Sequence, residues 1–175
     1  MESGKSILFI VPAPIGISPG QRFRFEHYLS FLQQEGIRYT ISNFYSEKGW
    51  QTIYTSGNKI QKVVVIFRGF LKRFFDLMRC FRYSYVYVYR EAAPVGPPFF
   101  EWIFCKIFRK KIVYDFDDAI WIPVASEYNK TASRFKNFSK IGSICRMAYH
   151  VTVGNEFLEN YARKFNERTS VIPTV

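Results

Sequence analysis

The chain has 175 residues, of which 48% are hydrophobic and 19% aromatic, and carries a net charge of +11. That length suits one domain with a sizeable core, and the composition excludes a disordered or low-complexity protein. The charge is uneven, since twelve basic against three acidic residues leave +9 between Lys59 and Lys111, a field that favours an anionic partner.

Strand-like and helix-like runs alternate along the chain. Ser6 to Val11 reads as a strand, followed by a Gly/Pro loop and a helical pattern from Gln21 to Gln34. Tyr39 to Phe44 is a second strand after the helix-stopping Gly36, and Val63 to Phe81 repeats apolar residues at helical spacing. Tyr85 to Tyr89 is a short β-rich run, Pro97 and Pro98 open a helix through Phe108, and Ile112 to Tyr114 forms a buried strand. A helix over Phe135 to Met147, a strand over His150 to Val153, a helix over Glu156 to Phe165 and a strand over Ser170 to Ile172 complete the series. This repeated βα order predicts an α/β, Rossmann-like, doubly wound and mainly parallel sheet with helices on both faces.

Ligands bind such sheets at the carboxyl ends of the strands. There the chain sets Asp115, Asp117 and Asp118 in the run IVYDFDDAIW. Three crowded carboxylates repel one another and need solvent, cations or hydrogen-bond donors. The sequence therefore places Asp117 and Asp118 in a reaction cleft and implies that removing one charge relieves strain. The plainer alternative is one helix cap beside two solvated carboxylates. In the first βα loop, PAPIGISPGQRFR, Gly16 and Gly20 supply flexible backbone before a helix amino terminus, with Arg22 and Arg24 adding charge.

Several other patterns carry less. The first loop does not fit G-x-G-x-x-G, and Gly4, Lys5 and Ser6 precede the strand that a phosphate-binding loop must follow. The D-x-D-D run has Ala119 and Ile120 where dehalogenase-type phosphatases carry Gly-Thr. His27 and His150 read as packing or surface residues. Cys80, Cys105 and Cys145 lack metal-ligand spacing, so neither a zinc site nor a disulfide framework is indicated, and a reducing, cytoplasmic setting fits. No metal or cofactor is implied, and the basic charge lacks a nucleic-acid-binding motif.

The segment IFRGFLKRFFDLMRCFR interleaves Phe67, Phe70, Phe74, Phe75 and Phe81 with Arg68, Lys72, Arg73, Arg79 and Arg82. A basic amphipathic helix of this kind can lie peripherally in an anionic membrane surface, here the inner face of the membrane. The competing expectation is that its apolar stripe packs on the sheet and its basic face is merely solvated. No apolar stretch approaches the ~20 residues required to span a bilayer.

Three segments, ILFIVPAPIGISPGQRFRFEHYLSFLQQEGI, KKIVYDFDDAIW and HVTVGNEFLENYARKFNERTSVIPTV, together resemble the amino-terminal domain of GT-B glycosyltransferases of the retaining group 1, or family 4, type. The resemblance implies that residues 1–175 form a single acceptor-side domain, lacking the carboxy-terminal nucleotide-sugar domain. It implies sugar transfer from a nucleotide-sugar donor to a glycan or lipid-linked acceptor, without metal. By position, Gly16, Ser18, Gly20 and Arg22 face the donor diphosphate and acceptor, while Arg90, Glu91, Asp115, Asn155 and Glu156 border the same cleft beside Asp117 and Asp118. Where relatives place a histidine after this strand, the chain has DFDDAIW. The alternative is a non-catalytic α/β subunit that partners a separate donor-binding chain.

Overall fold

The computed structural model describes residues 5–55, 57–122 and 138–173. Six strands form one all-parallel sheet: β1 (Ser6–Val11), β2 (Arg38–Asn43), β3 (Tyr85–Tyr89), β4 (Lys111–Phe116), β5 (His150–Val153) and β6 (Thr169–Val171). Their order is β2-β1-β3-β4-β5-β6. The chain moves one way from β1 to β2 and then returns to lay β3 on the other side of β1. The carboxyl ends of β1 and β3 thus flank the point where winding reverses, the crevice in which such sheets hold ligands.

The helices are α1 (Pro19–Arg24), α2 (Leu29–Gln34), α3 (Glu47–Tyr54), α4 (Lys59–Arg79), α5 (Phe99–Trp102), α6 (Lys140–Met147) and α7 (Glu156–Ala162). On one face of the sheet Leu8, Ile10, Val86, Val88, Ile112 and Tyr114 pack with Leu77, Phe100, Phe104, Ile144 and Leu158 from the helical layer. Fully burying each such side chain contributes about 1.5–3 kcal/mol. The opposite face is smaller, with Phe9, Val11 and Tyr89 beneath Phe25, Leu29 and Leu32.

Several elements differ from the sequence expectation. The helix anticipated over Gln21 to Gln34 is broken at Phe25 (φ −146°), and a 3₁₀ turn over Glu26–Tyr28 joins its halves. The break lets the consecutive Arg24 and Phe25 both turn inward, Phe25 stacking on Phe9 with centroids 4.9 Å apart. Helix α3 was not anticipated; Ser46 caps it by accepting from the Gly49 N–H at 3.1 Å. The helix after Pro98 widens into a π-helical turn at Ile103–Ile107. Strand β4 is longer than expected and includes Asp115, so just two of the three carboxylates lie beyond its end. The expected helix over Phe135 to Met147 is described from Lys140, and residues 135–137 lie outside the described segments.

Candidate functional site

Asp115 lies directly across from Thr152 on β5 in the parallel register. Its carboxylate accepts the Arg24 Nε–H at 3.0 Å, a second bond from Arg24 Nη2, and the Thr152 hydroxyl. Both side chains of the ion pair are 1% exposed. The remaining Arg24 nitrogen, Nη1, donates to the Ile172 carbonyl beyond β6. Burial lowers the Arg24 pKa, but Asp115 outweighs it and the net direction is upward. Asp115 is therefore enclosed, and what it does here is fasten α1 to the ends of β4, β5 and β6.

Asp117 and Asp118 meet a different cation. Arg90 donates through Nε and Nη2 to Asp117 Oδ1 at 3.1 and 3.0 Å, and Nη2 also reaches Asp118. The Tyr89 hydroxyl donates to the same Asp117 oxygen at 2.8 Å. Burial pushes the Tyr89 pKa up, against the pull of Arg90, and the Asp117 charge adds to the rise. For Arg90 burial acts downward, and Tyr89, Asp117 and Asp118 together overcome it. The need of these crowded carboxylates for cations is met by Arg24 beside Asp115 and by Arg90 between Asp117 and Asp118. Backbone placement is what achieves this, because Arg90 adopts a left-handed conformation (φ 62°), unusual for a residue with a side chain. Its N–H donates to the Asp115 carbonyl at 2.7 Å and its own carbonyl accepts from Tyr114 Oη at 2.7 Å.

Gly20 completes this group. A Cβ there would lie 2.3 Å from Asp117 Oδ2 and 2.6 Å from the Tyr89 hydroxyl, so the close approach of α1 to Asp117 requires glycine. Access is graded across the cluster, with side-chain exposures of 10% for Asp117, 31% for Arg90 and 63% for Asp118.

The other candidate residues are spread along the same edge. Gly16, at φ 80°, donates its N–H to Glu26 Oε2 at 2.9 Å. Gln21 braces the loop from below, accepting the Ala13 N–H at 3.2 Å and donating to the Ala13 carbonyl at 3.0 Å and to Glu26 at 2.8 Å. Ser18 precedes α1 and makes no side-chain cap. Arg22 points to solvent beside Phe23, with 5.8 Å to the ring centroid, so the inward cation of this loop is Arg24. Glu91 turns toward α6, where it lies 2.8 Å from Lys140 Nζ as an ion pair without aligned hydrogen-bond geometry. Asn155 is occupied in capping α7, accepting the Leu158 N–H at 3.0 Å, and Glu156 is exposed in the first turn of that helix. The structure thus brings Gly20, Arg90, Asp117 and Asp118 together, with Asp115 beneath; among the described residues, the side-chain hydrogen bonds and ion pairs of that group do not extend to Gly16, Ser18, Arg22, Glu91, Asn155 or Glu156.

Sequence reasoning missed Tyr89, one of several alternating tyrosines, Lys140, in a mixed polar run, and Glu101, a lone acid in an apolar run, because none of these settings signals which side chain turns inward. Lys140 is 2% exposed and donates to the Ala93 carbonyl at 2.7 Å. Glu101, also 2% exposed, accepts the Ala92 N–H at 2.8 Å. These two hold the loop after β3 from behind. Burial raises the Glu101 pKa, while the Ala92 N–H and Lys140 act the other way. An acid with a raised folded pKa adds stability that is complete below its unfolded pKa of about 4.3 and fades as pH climbs through the folded value. Glu101→Gln should therefore gain on the parent chain in melting temperature as pH rises above about 4.3. Parallel curves in pH-dependent thermal melts would contradict the assignment.

Fold and edge geometry together define a Rossmann-like parallel α/β domain with a polar cluster at its winding-reversal point. No protein-family model matches the chain, and no curated protein matches it significantly.

Proposed function

We propose that this chain is the acceptor-side half of a glycosyltransferase, moving a sugar from a nucleotide-sugar donor held by a second Rossmann-like domain to a glycan or lipid-linked acceptor. The observation that carries the reading is the Arg90, Asp117 and Asp118 cluster at the carboxyl ends of β3 and β4. Its exposed carboxylate and half-exposed guanidinium offer acceptors and donors side by side, the pairing that neighbouring hydroxyls of a sugar can bridge. Because the cationic charge is already neutralised by carboxylates, this wall favours a neutral, hydroxyl-rich ligand over a diphosphate. The diphosphate then needs its cations from the facing domain.

In this reading Asp118 orients the acceptor hydroxyl, and Asp117 with Tyr89 fixes the Arg90 guanidinium that shares the hydroxyl-binding work. The hydroxyl oxygen bonds to the anomeric carbon as the bond from that carbon to the diphosphate breaks, the electron pair of that bond leaving with the diphosphate oxygen and the hydroxyl proton passing to that departing oxygen.

Saturation-transfer NMR with a panel of oligosaccharides tests the site. Asp118→Asn and Arg90→Ala should each weaken glycan binding about tenfold to a hundredfold, the value of a hydrogen bond to a charged group. The chain alone should show no turnover of nucleotide sugars, and transfer should need a nucleotide-sugar-binding domain. Unchanged binding in both variants would refute the site, whereas turnover by this chain alone would refute the half-enzyme reading.

A further inference from the structure

Helix α4 seats an inner side on which Arg73 and Asp76 lie among Val65, Ile66, Phe70 and Leu77. Gly69, Arg73, Asp76 and Leu77 are its buried residues. Ile60, Phe67, Leu71, Phe75 and Met78 project to solvent with exposures of 79%, 61%, 44%, 66% and 75%. These positions fall on one side of a helix by the 3.6-residue period. The competing expectation, an apolar stripe packed on the sheet with a solvated basic face, describes the inner side of α4, whereas the outer side carries a second apolar stripe as well as basic residues.

The stripe does not end with α4. Phe81 continues it at 61% exposure and meets Phe108 with centroids 4.6 Å apart. Phe74 contacts Phe99 of α5 at 6.4 Å, and Phe99 and Trp102 are 45% and 46% exposed. Contiguous apolar surface of this extent is rare on a protein that faces water alone.

Charge selects what covers it. Among the described residues, the exposed charges of α4, α5 and the turns that continue them are positive, namely Lys59, Arg68, Arg82, Lys106 and Arg109. The acidic residues of these helices, Asp76 and Glu101, are buried. A groove of about 400 Å³ between α3 and α4 is lined by the stripe residue Ile60, by the exposed Val64 and by Lys48, Arg68 and Lys72, so cationic and apolar surface are continuous. A second copy of the face would oppose like charges. No helix among the described residues is long and apolar enough to cross a membrane.

We propose that the exposed face of α4 and α5 docks onto an anionic lipid surface, its aromatic side chains entering the headgroup boundary and its Lys and Arg side chains meeting lipid phosphates. This surface is made of other residues than the Arg90 cluster, so the inference stands or falls apart from the sugar-transfer reading. Sedimentation with phosphatidylcholine vesicles, with and without phosphatidylglycerol, tests it. Binding is expected on the anionic vesicles, weakening with added salt. Phe67→Ser, Phe75→Ser and Met78→Ser combined should lower the partition coefficient at least about a hundredfold. The substituted side chains are exposed, and circular dichroism confirms that the variant folds.

Brominated lipid should quench the Trp102 emission, and Trp102→Phe should remove most of that quenching. Equal binding to neutral and anionic vesicles, unchanged binding by the triple variant, or self-association without vesicle binding would each overturn the proposal.

Discussion

Arg24→Ala should lower the stability of the domain by about 3–5 kcal/mol, the cost of leaving one member of a buried ion pair without its partner. Asp115 would keep the Thr152 hydroxyl but lose the paired donation that neutralises it, and the Ile172 carbonyl would lose the Nη1 donor. Urea denaturation of Arg24→Ala, of Asp115→Leu and of the double variant Arg24→Met/Asp115→Leu measures the effect. The double variant should recover much of the loss, because an apolar pair leaves no buried charge behind. A single-variant loss within about 0.5 kcal/mol, the ordinary surface range, would mean that water reaches Asp115 and that the pair does not anchor α1.

Arg73→Ala should be at least as damaging. Arg73 is 0% exposed and donates to the carbonyls of Ala92, Ser42 and Val11 at 2.6, 3.1 and 2.8 Å and to Asp76 at 2.8 Å. It gathers the carboxyl ends of β1 and β2 and the loop after β3, the three segments around the winding reversal. Burial pulls the Arg73 pKa down, with Asp76 opposing, yet a guanidinium remains charged in proteins. Alanine would leave Asp76 with the Ser42 hydroxyl and Arg79 and would take one donor from each of three carbonyls, of which that of Val11 keeps the Phe44 N–H. A melting temperature lower by about 10 °C or more, or recovery in the insoluble fraction alone, is the expected result. Lysine should not rescue, because one ammonium cannot span the same three carbonyls. Rescue by Arg73→Lys would reduce the residue to a simple counter-charge for Asp76.

The parallel sheet was legible because its strands are short apolar runs separated by Gly, Pro and helical patterns, and those runs determine both order and class. The carboxylate cluster was legible as a cluster, but not in its division of labour. Asp115 and Arg24 lie 91 residues apart, and nothing in RFR says that the second arginine, rather than Arg22, turns inward. That choice comes from the helix break at Phe25, a matter of tertiary packing. Arg90 was placed at the site by position, while its left-handed backbone and its grip on two carboxylates depend on the Asp115 and Tyr114 contacts. Helix α3 had a usable signal in the capping Ser46, obscured by Gly49, a poor helix former.

For α4 the period was visible and the facing was not. Apolar residues recur around much of this helix, so Val65, Ile66, Phe70 and Leu77 inward and Phe67, Phe75 and Met78 outward fit the pattern no better than the reverse, and the backbone carbonyls that take the buried Arg73 decide it. Those carbonyls have no sequence signature at all.

Helix α4 carries two apolar sides. Val65, Ile66, Phe70 and Leu77 turn inward, while Ile60, Phe67, Phe75 and Met78 turn outward. Burial of apolar surface is indifferent to partners, so grease alone does not distinguish the two seatings of such a helix. The bonds from Arg73 to the Ala92, Ser42 and Val11 carbonyls do, and a single polar anchor thereby acts as the registration mark of an otherwise apolar contact.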